Sequence, residues 1–407
     1  MRAAKGSADA AGAPRDAALP IRREVAELQP SGIRAIAHAG MGQDGVIPLW
    51  FGEPDLPTPA FIVAASDAAL SAGHTFYSHN RGVPELRETL ADYTSRLYRK
   101  AIGIERITVT AAGMNALMQV AELLVDPGDN IVIATPLWPN FFRCIEIMGG
   151  EARQVPMTIA GDPRVQPGSW RLDLDRLFDA CDARTRAITI NSPNNPTGWM
   201  MDSETQAAVL DFCRDRGLWL IADEVYARIV YDRPVAPSFL DHASDDDLVL
   251  VVNSFSKSWA MSGWRLGWIT HPPALGEAFE KLSEYNVASP GTGTQYAGVV
   301  AVRDGEPFVA EMVERYRIAR DMVQQRLGAM RRVRLSRPEA AFYGFFAVDG
   351  IDDSMAFAMQ VLAETKVGLA PGIAFGAGGE TYLRICYAKT AALLGEALDR
   401  LEPLLDR

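Results

Sequence analysis

Metal-binding and redox patterns are thin in this chain. It holds four cysteines, Cys144, Cys181, Cys213 and Cys386, and no two of them form a C-x-x-C. Its five histidines make no H-x-x-x-H pair. No metal is expected, and reduced thiols in a cytoplasmic protein fit better than a disulfide framework. No apolar run approaches the roughly 18 residues of a membrane span, so no membrane partner is expected. There is no G-x-x-x-x-G-K. Gly291-x-Gly293 is not a dinucleotide fingerprint, because no suitable strand precedes it and the third glycine is misplaced. Basic residues are in deficit: 40 Lys and Arg against 51 Asp and Glu leave a net charge of −11, which argues against a nucleic-acid surface. Residues 1–19 lack the continuous apolar stretch of a secretory signal and read as a disordered tail. No internal repeat occurs.

What is present is a succession of strands, each ending in a polar motif. Apolar runs at Ile107–Thr110, Asn130–Ala134, Ala187–Ile190, Leu218–Ala222 and Leu248–Val252 read as buried strands. Helical stretches such as Glu85–Tyr98, entered through Pro84, and Thr205–Arg216, with Asp202 as N-cap, lie between or before them. Strands alternating with helices predict an α/β fold whose large domain has a mainly parallel sheet between helices. From about Thr294 the pattern turns to long helices, with Phe308, Met312, Tyr316, Ile318, Met322 and Leu327 on apolar stripes. Alternating segments near Ala341–Val348 and Thr381–Tyr387 suggest strands of a smaller α+β domain. The expected division is 20–49 and 294–407 for the smaller domain, with 50–293 as the large one. Ile33 and Ile36 are the expected packed face of an N-terminal helix.

Ligands of parallel sheets bind beyond the carboxyl ends of the strands, which is where the polar motifs sit. The run Leu248–Val252 turns at once into Asn253, Ser254, Ser256 and Lys257. A lysine at the end of a buried strand has its pKa lowered by burial, which leaves an amine able to attack carbonyls. The hydroxyls and Arg265 suit a phosphate. A phosphorylated aldehyde bound as a Schiff base satisfies both demands. The competing readings are a surface lysine in a Ser-rich loop and the S-x-x-K of a serine acylase. The latter lacks an S-D-N, and its nearest approach to K-T-G is Lys389-Thr390-Ala391.

Asp223 ends an apolar strand, where a carboxylate needs a cation or hydrogen bonds. A pyridinium nitrogen is such a cation; a helix-capping aspartate is the alternative. Tyr226, three residues on, is placed to reach the same ligand's phenolic oxygen, or packs as a core tyrosine. Asn195-Pro196-Thr197-Gly198 is a stiff turn that aims an amide at the sheet end. Ala112-Gly113-Met114 begins a helix directly after a strand, where free N–H groups form an anion site. Trp138 either stacks on an aromatic ring or fills the core. Arg384 lies in an otherwise apolar strand and calls for a bidentate anion, either a substrate carboxylate or a structural partner.

Taken together these motifs resemble a fold-type-I, pyridoxal-phosphate-dependent aminotransferase of class I/II, of the aspartate aminotransferase-like kind. The markers are GEPD at Gly52, YSHNRGVPELRE from Tyr77, TAAGMNAL from Thr110, TPLWPN from Thr135, NSPNNPTG from Asn191, ADEVY from Ala222, SFSKSWAMSGWRLGW from Ser254 and YLRICYA from Tyr382. The resemblance covers the chain after its tail. It departs mildly at Ala112, where the family usually has glycine or serine. It implies transamination between an α-amino acid and a 2-oxo acid by ping-pong kinetics, with Lys257 as the Schiff-base lysine and proton-shuttling base. Asp223 would pair with the pyridine nitrogen, Asn195 and Tyr226 with the ring oxygen, and Trp138 would stack. Ala112, Gly113, Met114, Ser254, Ser256 and Arg265 would hold the phosphate of pyridoxal 5'-phosphate. Tyr77 would reach the phosphate of a neighbouring subunit, which makes a homodimer with shared sites. Arg384 and Asn195 would hold the substrate carboxylate, helped by Gly52, with Ile33 and Trp138 beside the substrate.

Two other activities share this fold. One is a β-lyase. The other is a cofactor-sensing regulator, which needs a DNA-binding module in front where only a short tail is seen. Met114 stands where one aspartate-using subgroup of the look-alike family has a lysine. Together with Ile33, Trp50 and Phe51 it predicts a side-chain pocket favouring neutral, apolar or aromatic donors, with Arg34 as a mobile cation nearby.

Overall fold

The computed structural model describes residues 21–160 and 168–406. The expected disordered tail at 1–19 lies outside the described residues. Seven strands form the central sheet: β1 (Ile107–Thr110), β2 (Asn130–Thr135), β3 (Glu151–Pro156), β4 (Thr185–Asn191), β5 (Trp219–Asp223), β6 (Val249–Ser254) and β7 (Gly267–Thr270). Their spatial order is β1-β7-β6-β5-β4-β2-β3. β7 runs antiparallel to both of its neighbours, and all other pairs are parallel. The apolar runs are β1, β2, β4, β5 and β6, buried along almost their whole length although β1 stands at one edge of the sheet. Two strands are additions to the sequence reading. β3 carries Glu151, Arg153 and Gln154 on a half-solvated edge, so it has no apolar run to betray it. β7 lies inside the Trp264–Trp268 motif, whose chemistry masks its extended backbone.

The main helices in chain order are α1 (Gly32–Gly40), α2 (Ala60–Ser71), α3 (Pro84–Tyr98), α4 (Gly113–Leu124), α5 (Ser203–Arg216), α6 (Thr292–Asp304) and α7 (Glu306–Gly328); α3, α4 and α5 pack on this sheet, whereas α1 packs with the second body. α3 starts on Pro84 and buries Leu86, Leu90 and Tyr93. α5 is capped by Asp202, whose carboxylate accepts the Thr205 N–H at 2.8 Å.

A second body is built on the antiparallel sheet of β8 (Val333–Leu335), β9 (Tyr343–Val348), β10 (Ala370–Pro371) and β11 (Tyr382–Cys386), in the order β8-β9-β11-β10. The N-terminal segment belongs to it. Ile33 and Ile36 pack into the same core as Tyr343 and Leu398, and Ile47–Pro48 pairs in parallel with Val367–Gly368. The seam differs from the one expected after residue 293. Ala297, Ala301 and Val302 of α6 pack with Leu86, Leu90 and Val109 of the large body. The change comes inside α7, where Val309 joins the large core and Met312 the small one. Ile318, expected on a buried stripe, is half-exposed.

Candidate active site

The carboxyl ends of β4, β5 and β6 face β11 across the seam between the two bodies. At the end of β6 the Ser254 hydroxyl accepts the Ser256 N–H at 3.2 Å and so caps a one-turn helix, Phe255–Ser258. That turn aims Lys257 into the seam, where Nζ donates to the Gly52 carbonyl at 2.7 Å. Burial pulls the ammonium down to about 8; the Cys386 thiol opposes the fall and Arg384 adds to it. A lysine so placed presents free amine near neutral pH.

Asp223 ends β5, opposite Val252 of β6 and Asn191 of β4. Burial pushes its carboxyl up to about 6, against the opposing pull of the Val225 N–H and of Lys257. The Val225 N–H reaches Oδ1 at 3.3 Å. Among the described residues no cationic side chain pairs with it. A carboxylate buried this way wants a cation that the chain does not supply.

Arg384 is its mirror image. It is buried on β11, donates to Asn195 Oδ1 at 2.8 Å and to the Trp50 carbonyl, and among the described residues its Nε finds no acceptor. Its guanidinium lies 4.6 Å from the Tyr343 ring centre and 4.8 Å from that of Phe375. No carboxylate meets it among the described residues. Trp50 itself, expected on the side-chain pocket, packs into the core of the smaller body, so only its carbonyl reaches the site.

Asn191 clamps the floor. Its Nδ2 donates to the Asp223 carbonyl at 2.9 Å and its Oδ1 accepts the Asn195 N–H at 2.8 Å. The Tyr226 hydroxyl lies 2.6 Å from that of Tyr343. At the far end α4 begins at Gly113, so the N–H groups of Gly113 and Met114 lack partners within the helix. Ser254 stands against Gly113, and Ser256 and Arg265 line the same cavity. Arg265 Nη1 donates to the Ser262 carbonyl at 2.6 Å. The approach of α4 to the sheet depends on Gly267: a Cβ there would lie 2.7 Å from the Gly113 nitrogen. Ala112 does not serve as expected. Its N–H is taken by the Thr110 carbonyl at 2.8 Å, which leaves it no donor for an anion.

Thirteen of the fifteen expected site residues line one cavity of about 440 Å³: Ile33, Gly52, Gly113, Met114, Trp138, Asn195, Asp223, Tyr226, Ser254, Ser256, Lys257, Arg265 and Arg384. Ala112 and Tyr77 do not. Tyr77 stands on the surface of this chain, 93% exposed. Tyr343, Asn191, Asn140 and Glu53 line the cavity without having been expected. Asn191 opens the NSPNNPTG motif and was within reach of sequence reasoning. Tyr343 sits in the apolar segment AFYGFF, which carries no signal for it.

The residues fit pyridoxal phosphate on their own terms. An unpaired buried carboxylate suits a protonated ring nitrogen, a lysine of lowered pKa suits an aldehyde, and a glycine-backed helix start with two hydroxyls and an arginine suits a phosphate. The family described as "Aminotransferase class I and II" matches residues 44–401. An aspartate aminotransferase of Pyrococcus horikoshii is 32% identical over 389 residues, 95% of this chain and 97% of that one. Aromatic-amino-acid aminotransferase 2 of Thermococcus litoralis is 34% identical, over 93% of this chain and 96% of that one. The crystal structure of a Thermotoga maritima aspartate aminotransferase superposes with a TM-score of 0.86 at 32% identity, over 95% of this chain and 100% of that one.

Proposed function

Because the chain belongs to the class I and II aminotransferases, we propose that its cavity moves the amino group of neutral, apolar or aromatic α-amino acids, with Lys257, Asp223 and Arg384 as the working charges. The protein is a pyridoxal-phosphate-dependent transaminase. The cofactor supplies an aldehyde that takes up the amino group and a protonated ring that draws electron density from the substrate α-carbon. Lys257 Nζ takes the proton from that carbon and delivers it again as general acid, a task that suits a pKa near 8. Asp223 keeps the ring nitrogen protonated. Tyr226 and the Asn195 amide donate to the ring oxygen, and Trp138 stacks on the ring. Gly113, Met114, Ser254, Ser256 and Arg265 take the phosphate. Arg384 receives the substrate α-carboxylate, a reading supported by its Nε, which has no acceptor among the described residues. An oxo acid leaves before the second one enters, which gives ping-pong kinetics.

The wall around Met114 carries the substrate assignment. Its sulfur accepts from the Asn140 amide at 3.5 Å, and Ile33 and Phe51 are further uncharged side chains lining the same cavity. Among the described residues the cations lining the cavity are Lys257, Arg265, Arg384 and Arg34. The first three have roles above, and Arg34 lies at the rim, exposed, 5.9 Å over the Phe51 ring. A distal carboxylate deep in this pocket would lack a partner. The test is kcat/KM for phenylalanine, leucine, methionine and aspartate with 2-oxoglutarate as acceptor. Glutamate should accumulate with the neutral donors. A tenfold preference for aspartate would overturn the assignment, and pyruvate with ammonia released from added cystathionine, which carries a sulfur leaving group on Cβ, would indicate a lyase.

The working unit is a cytoplasmic homodimer. Phe76, Tyr77 and Tyr285 are all more than four-fifths exposed on the single chain, an arrangement that suits a partner surface. Tyr77 would then serve the phosphate of the partner's site. Sedimentation should give a dimer, and an active monomer at assay concentration would contradict this reading.

A further inference from the structure

Tyr343 touches three parts of the site, Tyr226, Arg384 and Gly52, and the chemistry above leaves it unused. Its hydroxyl lies 2.6 Å from the Tyr226 hydroxyl. Its ring lies under the Arg384 guanidinium. Its hydroxyl also fills the space where a Cβ on Gly52 would stand, so Gly52 is small because Tyr343 is there. The Gly52 carbonyl in turn holds Lys257 Nζ. Tyr343 is fully buried on β9, and its ring is held in place by Tyr226 and Phe342 at ring-centre distances of 5.6 and 4.8 Å.

We propose that Tyr343 is a positioning residue that donates its hydroxyl proton to the Tyr226 oxygen and so turns the Tyr226 O–H toward the cofactor's ring oxygen. The proposal rests on the reading that Tyr226 faces that oxygen. Of two hydroxyls 2.6 Å apart, only one can donate to the other. Tyr226 lines the cavity beside Lys257 and Asp223, so its proton has an acceptor there once the ring is bound. Tyr343 has Tyr226 as its hydrogen-bond partner and is the one left to donate inward. A donor feeding a donor strengthens the outer bond. The ring oxygen then holds less charge and grips the proton on the Lys257 nitrogen less tightly.

The readout is the pH at which the visible absorption band of the cofactor-loaded protein changes. The titratable and charged groups facing this pair come from several elements: Asp223 on β5, Lys257 after β6, Arg265 before β7, Arg384 and Cys386 on β11, and Glu53 after Gly52. None of them is altered in the comparison. In Tyr343→Phe the midpoint should rise by about 0.5 to 1 pH unit, the scale of one lost hydrogen bond. Tyr226→Phe should raise it further. Adding Tyr343→Phe to Tyr226→Phe should change nothing more, because Tyr343 acts through Tyr226.

A 3-fluorotyrosine at position 343 keeps the shape and sharpens the donor, so it should lower the midpoint. It also covers the case in which Tyr343→Phe does not fold. A midpoint unmoved by either change at 343, while Tyr226→Phe moves it, overturns the proposal alone. An effect of Tyr343→Phe that adds in full to that of Tyr226→Phe overturns it too. If Tyr226→Phe itself leaves the midpoint in place, the underlying reading of Tyr226 fails.

Discussion

The two ends of the central sheet treat the same residue type in opposite ways. At the amino end Asp182 accepts from Asn130 Nδ2 and from Arg153 Nη1, each at 2.9 Å, and from the Arg184 N–H. These bonds hold its carboxyl well below the ordinary carboxylate range. At the carboxyl end Asp223 has one backbone N–H, burial and a lysine, and its carboxyl rises to about 6. Arginines divide likewise. Arg153 meets Glu151 and Asp182, and Arg214 meets Asp211 and Asp247. Arg384 meets carbonyls and rings. One end has its charges balanced within the chain, and the other holds charges whose partners must arrive from outside. Unpartnered burial is costly and marks where a ligand completes the structure.

The largest expected break comes at Lys257. Lys257→Ala should lower turnover by at least about 10⁴-fold, because it removes nucleophile and base together. Borohydride treatment of the loaded wild type should fix the cofactor to the peptide carrying Lys257. A label on another lysine would end the assignment.

Next is the pair of aspartates. Asp223→Asn should cost at least about 10²-fold in kcat, since an amide cannot keep the ring nitrogen protonated. Yet without cofactor the same variant should be more stable at pH 7. The folded pKa of Asp223 is raised, so the cost of its charge is absent below the unfolded value and complete above about 6. The gain should be on the order of 3 kcal/mol at pH 7 and largely vanish near pH 4. Asp182→Asn should do the reverse. Its folded pKa is depressed, so its contribution is present at pH 7 and is lost as pH falls below the usual carboxylate range. Melting curves of the cofactor-free variants at both pH values check the two signs, and near-normal activity in Asp223→Asn would make Asp223 a structural cap.

A smaller effect is expected at Met114. Met114→Lys places an ammonium against the apolar wall and should shift the aspartate-to-phenylalanine ratio of kcat/KM toward aspartate by about tenfold, the scale of one buried charge contact. An unchanged ratio would mean that the side chain points elsewhere.

The contrast between the ends was legible for one of them. Asp223 and Lys257 stand out because each is polar at or just past the end of an apolar run, Asn195 because it lies in a stiff turn beyond another, and Arg384 because it interrupts an apolar strand. Burial alone makes such residues conspicuous. Edge strand β3 was not legible, since half-solvated Glu151, Arg153 and Gln154 look like a loop. The seam inside α7 was not legible either, because one continuous helix serves two cores and periodicity does not say which core a face meets. Tyr343 gave no signal because its neighbours Phe342, Phe345 and Phe346 are as apolar as it is, and only the fold sets its hydroxyl against Tyr226. Ala112 was placed correctly at the helix start, but the direction of its N–H depends on a backbone angle that no side chain announces.

That angle gives the smallest prediction. Ala112 has φ +96° and ψ 160°, a region that essentially only glycine occupies without strain. At the amino end of the sheet the chain meets a similar demand, φ +91° in the turn before β2, with a glycine, Gly128. At these two positions strain is kept in one and relieved by glycine in the other. It persists because Ala112 is fixed on both sides: its N–H bonds the Thr110 carbonyl and its carbonyl accepts the Ala116 N–H at 3.1 Å. Ala112→Gly should stabilise the folded protein by about 1 kcal/mol, the relief of strain less the extra freedom glycine gives the unfolded chain. Gly128→Ala should cost a similar amount at a turn with open space around it. Denaturant midpoints measure both. If Ala112→Gly leaves stability unchanged while Gly128→Ala lowers it, the backbone at Ala112 is relaxed, and the difference between the two ends is one of charge alone.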